Sequence, residues 1–119
     1  MWTYEQATGR MLRNGDLIAI GYAGYGKGKN NPAFESVRDI GPIPKGNYTI
    51  GAPYNSARTG GFTLTLTPYL YNEMFSRADF RIHGDSMRVP GIASHGCIVL
   101  PLAVRKTIWL SKDRELTVV

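Results

Sequence analysis

Phe62-Thr63-Leu64-Thr65-Leu66-Thr67 alternates apolar and polar residues without a break. A period of two puts Phe62, Leu64 and Leu66 on one face and three threonines on the other, the pattern of a half-buried β-strand. Downstream, Asp79 to His83 repeats it, with Phe80 and Ile82 on one face. Upstream, Asn47 to Gly51 reads as a strand entered from Gly41-Pro42-Ile43-Pro44-Lys45-Gly46, whose two prolines exclude a helix or a central strand. Trp2 to Gln6 and Arg10 to Arg13 read as short strands about a turn at Thr8-Gly9. Asn14-Gly15 is a two-residue hairpin signal, since both positions accept positive φ, and it leads to an apolar strand from Leu17 to Tyr22. Residues 23–32 are glycine- and asparagine-rich loop, followed by a short helical turn near Asn31 to Glu35. Residues 84–97 are turn-rich; Pro101 suits the first turn of a helix running to about Lys112, and Glu115 to Val119 forms a last strand. The expected fold class is mainly β, mostly antiparallel, with one or two short helices, in a single domain over residues 1–119.

At 119 residues the chain can bury a modest core without disulfides, and with one cysteine it can form none internally. A hydrophobic content of 43% against 19% charged residues excludes a disordered chain. The net charge of +5 suits either solubility or a polyanionic partner, and an acidic cell envelope fits better than nucleic acid, because the basic residues are scattered and no nucleic-acid motif occurs. No apolar run approaches the roughly 18 residues of a membrane span. Met1-Trp2-Thr3-Tyr4-Glu5-Gln6 lacks the basic patch and apolar stretch of a secretory signal, so export is expected to use another route.

Three constellations carry possible chemistry. Gly21-Tyr22-Ala23-Gly24-Tyr25-Gly26-Lys27 has the spacing of a phosphate-binding loop, but Gly28 stands where Ser or Thr is needed and Lys29-Asn30-Asn31-Pro32 is poor helix. A flexible loop beside a cleft, or a plain structural turn, is the better reading. His83, Asp85, His95 and Cys97 are acceptable zinc ligands if two loops meet, which would make the protein a zinc-dependent cell-wall hydrolase. Finally, Cys97 in Ser94-His95-Gly96-Cys97, with His83 upstream, has the makings of a thiol nucleophile and its base. Gly96 would let the backbone approach the reacting carbon, and amides near Gly96 and Cys97 would form an oxyanion hole. A buried inert thiol is the commonest fate of a lone cysteine, but Cys97 is flanked by polar residues and glycine rather than by apolar ones on both sides.

Ser94-His95-Gly96-Cys97-Ile98 resembles the active-site signature of the L,D-transpeptidases, the YkuD-like peptidoglycan enzymes, and Gly41-Pro42-Ile43-Pro44-Lys45-Gly46-Asn47-Tyr48-Thr49-Ile50 resembles that family's turn into a Tyr-x-Ile strand. The resemblance implies a β-sandwich with the cysteine at the mouth of a cleft. It implies Cys97 as nucleophile, His83 as base and Gly84 as the residue whose carbonyl orients the ring. Ser94, His95, Gly96 and Arg81 are the substrate-binding candidates by the same resemblance, and no metal or cofactor is implied. Two departures stand out. Ten residues separate His83 from Ser94, fewer than usual in the family, and Val99 occupies the position of a common Arg or Asn, leaving Arg81, Arg88 and Arg58 as candidate replacements. The small size and the opening residues look most like the L,D-transpeptidase and L,D-carboxypeptidase effectors of type VI secretion. That likeness implies peptidoglycan stem peptides as substrate, delivery by a secretion apparatus into the periplasm of a rival, and a cognate immunity protein. A phage lysis enzyme and a non-catalytic wall-binding domain, with Tyr22, Tyr25, Tyr54, Tyr69 and Tyr71 stacking on sugars, are the remaining alternatives.

Overall fold

The computed structural model describes all 119 residues, and its strands are hydrogen-bonded as one sheet. In chain order they are β1 Trp2–Tyr4, β2 Arg10–Arg13, β3 Asp16–Ile20, β4 Tyr22–Ala23, β5 Gly46–Ser56, β6 Gly60–Pro68, β7 Arg81–His83, β8 Ile98–Val99 and β9 Glu115–Val118. Across the sheet the order is β3-β2-β1-β9-β5-β6-β7-β8-β4, parallel at β1–β9 and β7–β8 and antiparallel elsewhere. The mainly-β expectation holds. The resemblance implied a sandwich, whereas the ladder runs unbroken across all nine strands.

Its two edge strands, β3 and β4, are separated in sequence by Gly21 alone. A single residue cannot span a flat sheet of nine strands at about 4.8 Å each, so the sheet curls until its edges meet. Gly21 is the joint. A Cβ there would lie 2.0 Å from the Val99 carbonyl oxygen, so no other residue fits. This corrects the strand expected from Leu17 to Tyr22, which is cut at Gly21 into pieces belonging to opposite edges. The curl explains how Met11 of β2 and Ala23 of β4 join one hydrophobic cluster with Trp2, Tyr48, Leu64, Ile82, Ile98 and Leu116.

The Asn14-Gly15 hairpin forms as read, with φ of 49° and 88°. The alternation expected over residues 62–67 holds from Leu64 to Thr67 but breaks at its start. Phe62 adopts a φ of 52° and is only half-buried, while Thr63 and Leu64 are both buried, because β5 and β6 are out of simple register near this point. The strand expected from Asp79 shortens to Arg81–His83, though Phe80 and Ile82 do both enter the core. One α-helix forms, α1 at Leu102–Leu110, with Pro101 as its N-cap, and Lys112 at φ 62° lies beyond its end rather than inside it. Pro32–Phe34 supplies the short helical turn expected there, and a second such turn covers Gly26–Gly28. Helix α1 packs on β6 and β7, and its Ile108 joins the same core as Ile82 and Ile98.

Candidate functional site

The site is built on the parallel pair β7–β8. Ile82 and Ile98 are paired and both point into the core. Alternation therefore sends Arg81, His83, Cys97 and Val99 to the opposite face. Cys97 immediately precedes β8, level with Arg81, and His83 lies one two-residue step further along β7, roughly 7 Å. Both Cys97 and His83 line a cleft of about 840 Å³.

Each candidate group is held from behind. His83 is 4% exposed, and its Nδ1 lies 2.8 Å from the Gly84 carbonyl oxygen. A carbonyl only accepts, so Nδ1 carries the hydrogen and Nε2 is left as the basic nitrogen. Burial lowers the His83 pKa, with Arg105 and Arg81 pushing the same way and the Gly84 bond opposing them. The imidazole is thus neutral at pH 7. Burial also raises the pKa of the Cys97 thiol, against the Arg81 backbone N–H and the charges of Arg81, Arg58 and Arg77. The sulfur sits 3.7 Å from the Asp79 carbonyl oxygen. The resting pair is therefore a neutral thiol and a neutral imidazole.

Ser94 is fully buried and is not among the residues that line the cleft. Its Oγ accepts from Gly24 N (2.9 Å) and Gly96 N (3.0 Å) and donates to the Cys97 carbonyl (2.6 Å). Ser94 is the pin of the nucleophile turn. Gly96 is likewise buried, with φ 143°, and a Cβ on it would meet Arg77 Nη2 at 2.6 Å and Phe80 at 2.9 Å. Because the Gly96 amide is committed to Ser94, it is not free for an oxyanion hole, and the amide of Cys97 is the one left for that role. His95 does line the cleft; it is exposed, stacked on Tyr25 at 5.4 Å and tied through Nδ1 to the Asp39 carbonyl at 3.1 Å.

Sequence reading missed Arg77 and Arg105, and it gave Tyr22 only a place in a loop and a sugar-stacking role. Arg77, 6% exposed, donates to the carbonyls of Glu35 (2.7 Å), Pro42 (2.8 Å), Gly41 (2.9 Å) and His95 (3.4 Å) and lies over the Phe80 ring. It ties the buried Gly41-Pro42-Ile43-Pro44 segment to the nucleophile turn. No local motif announces a residue whose partners are carbonyls up to 42 positions away. Tyr22 donates to Asp85 (2.6 Å) and accepts from Ala93 N (2.9 Å), closing the short loop between His83 and Cys97 from the β4 edge. The Tyr22 hydroxyl is pushed up to about 12, mainly by burial and by Asp85. Burial alone would raise the Asp85 carboxyl, but the bonds from Tyr22, Gly91 and Ser86, with Lys29 nearby, hold it below the ordinary carboxylate range. Thus the glycine-rich stretch from Gly21 to Lys27 is a braced support: Tyr22 and Gly24 hold the site, and Tyr25 N donates to the Ile40 carbonyl. Arg105 of α1 donates to the carbonyls of Leu100, Gly61 and Phe62 and stands behind Gly84. Of the cations considered as replacements near Val99, Arg81 and Arg58 line the cleft and Arg88 does not.

His83, Asp85, His95 and Cys97 do not converge: no three His, Cys, Asp or Glu side chains are grouped so as to hold a metal ion. No helix is long and apolar enough to cross a membrane.

The family model for the Tlde1 domain matches residues 18–117. Neither the curated proteins nor the solved structures contain a match to this chain.

Proposed function

The chain belongs to the Tlde1 family of L,D-transpeptidase-like type VI secretion effectors, and from that premise we propose that it is a cysteine-dependent enzyme of peptidoglycan stem peptides. The observation that carries the reading is that Cys97 and a His83 oriented by the Gly84 carbonyl come from neighbouring strands and line one cleft.

The substrate is the amide between the L-centre of the third, diamino-acid residue and the terminal D-alanine. As that carbonyl approaches Cys97, His83 Nε2 takes the thiol proton and the sulfur adds to the carbon. A pair that is neutral at rest creates its thiolate only with substrate in place, which protects the thiol between turnovers. The Cys97 amide is the donor nearest the developing oxyanion. His83 then returns its proton to the departing D-alanine nitrogen, the C–N bond breaks and a thioester remains. Attack by water gives L,D-carboxypeptidase activity, attack by a free D-amino acid gives exchange, and attack by a stem amine gives a cross-link.

As a type VI effector the protein is an antibacterial toxin whose delivery uses the secretion apparatus, with an immunity protein guarding the producer. Its place of action on this reading is the periplasm of the target cell, where loss of tetrapeptide donors starves wall cross-linking.

The test is digestion of purified disaccharide-tetrapeptide by wild type and Cys97→Ala, read by mass spectrometry with and without D-methionine. Loss of D-alanine, or its replacement by D-methionine, in wild type alone supports acyl transfer at Cys97. Equal activity in both proteins removes Cys97 as nucleophile, and silence in both leaves a wall-binding role.

A further inference from the structure

Four guanidinium groups line the Cys97 cleft: Arg38, Arg58, Arg77 and Arg81. They are not equivalent. Arg77 is spent on backbone carbonyls, and Arg38 donates to the Ser76 carbonyl at 3.3 Å. The guanidinium groups of Arg58 and Arg81 make no hydrogen bond and no ion pair; the ion pairs of the chain all lie around Met1, Arg10 and Arg13. Carboxylates are available in the same cleft, yet neither arginine takes one. Asp85 is committed to Tyr22, Ser86 and Gly91, and Asp39 and Asp79 form no ion pair with either guanidinium.

The two come from different elements. Arg58 projects from the β5–β6 hairpin and Arg81 from β7, level with Cys97. Both stand close enough to the sulfur to bias its ionisation. Two unpaired guanidinium groups lining the cleft of a candidate nucleophile make a seat for a carboxylate, which Arg binds through two parallel hydrogen bonds.

We propose that Arg58 and Arg81 read the free α-carboxylate of the residue that leaves from the scissile bond, so that the enzyme acts only at the end of a stem. This rests on the peptidoglycan reading above. The geometry of the substrate supports it: in a stem ending in one D-residue, only the amide nitrogen and one Cα separate the attacked carbonyl from the terminal carboxylate. A cation near Sγ can therefore touch that carboxylate while the carbonyl sits on the sulfur. A stem one residue longer, or one amidated at its end, presents a neutral amide at the same place. The identical seat would receive the carboxylate of an incoming D-amino acid, since exchange retraces the first half-reaction.

The experiment compares disaccharide-tetrapeptide with its C-terminal carboxamide, using wild type, Arg58→Met, Arg81→Met and Arg81→Lys. Product formation is followed by mass spectrometry, and thermal melts check folding. Wild type is expected to prefer the free acid by about tenfold to a hundredfold in kcat/KM, the scale of a charge-assisted hydrogen-bonded pair. Each Met variant is expected to bring that ratio toward one, chiefly through KM for the acid, with Arg81→Lys recovering part of it. D-Methionine is expected to act as an exchange acceptor and D-methioninamide to fail. Equal turnover of acid and carboxamide by wild type overturns the carboxylate assignment and leaves the acyl-transfer reading intact. A ratio unchanged in both Met variants also overturns it. Absence of turnover of either substrate by folded wild type overturns the acyl-transfer reading and this assignment with it.

Discussion

Replacing Ser94 with alanine removes one oxygen and strands two amides. Ser94 Oγ is the only acceptor for Gly24 N and Gly96 N, and its own proton holds the Cys97 carbonyl at 2.6 Å, all at a residue with no solvent exposure. A buried donor left without a partner costs about 1–3 kcal/mol, so two give a loss of about 2–6 kcal/mol. Set against a folding free energy of about 5–15 kcal/mol, that is a large share of the total. For a chain of this size it corresponds to a fall in Tm of roughly 8–24 °C. The assay is urea unfolding followed by the fluorescence of Trp2, which is fully buried, and Trp109, which is packed against the core. Ser86→Ala is the control, because the Ser86 Oγ accepts a single bond from Val89 N in an exposed turn, and it is expected to shift stability by about 1 kcal/mol or less. Iodoacetamide labelling of Cys97 reports on the turn itself and should accelerate in Ser94→Ala. A Ser94→Ala protein within about 0.5 kcal/mol of wild type, with unchanged labelling, would refute the claim that this hydroxyl carries the nucleophile turn.

Gly96→Ala forces a Cβ to within 2.6 Å of Arg77 Nη2 at φ 143°, and is expected to destabilise by about 2–4 kcal/mol in the same urea assay; a neutral result would mean that Arg77 and Phe80 move aside freely. The pH profile follows from the signs at the two reacting groups. The base works when neutral and its pKa is lowered, so kcat/KM should hold down to pH 6.5 and fall only below it, whereas thiol alkylation should climb with pH and level off only above pH 9. Folding is linked to the same proton: the unfolded chain protonates His83 below pH 6.5 while the fold keeps it neutral, so stability declines from there toward the folded pKa and levels off beneath it. An acid limb centred above pH 7 would contradict a buried neutral base. Tyr22→Phe removes a bond to Asp85 and the acceptor for Ala93 N, so hydrogen exchange should quicken over residues 85–93 with little change in β5–β6; protection unchanged at Ala93 would refute the bracing role.

The chain's own pattern determined much of this protein. Period-two alternation, the Asn14-Gly15 turn and the proline-bearing segment at 41–46 are local signals, and they led to a mainly β chain with strands near their observed places. Ser94-His95-Gly96-Cys97 with His83 marked the candidate chemistry for a similar reason: the candidate base and the carbonyl that orients it are adjacent in sequence, and the candidate nucleophile lies beside the next strand, across one loop. Tertiary structure decided the rest. That Gly21 joins the two edges of one curled sheet depends on where Val99 lies, which no window around Gly21 contains. That Ser94 and Gly96 are buried and fixed in place depends on Gly24, Arg77 and Phe80 arriving from other strands and loops. That Arg58 and Arg81 are left unpaired beside Cys97, while Arg77 and Arg105 are consumed by carbonyls, depends on the directions in which four similar side chains leave the backbone. Hydrogen bonds within a turn are written in adjacent residues. Buried partners and unpaired charges are relations between distant ones, and they exist only once the sheet has closed.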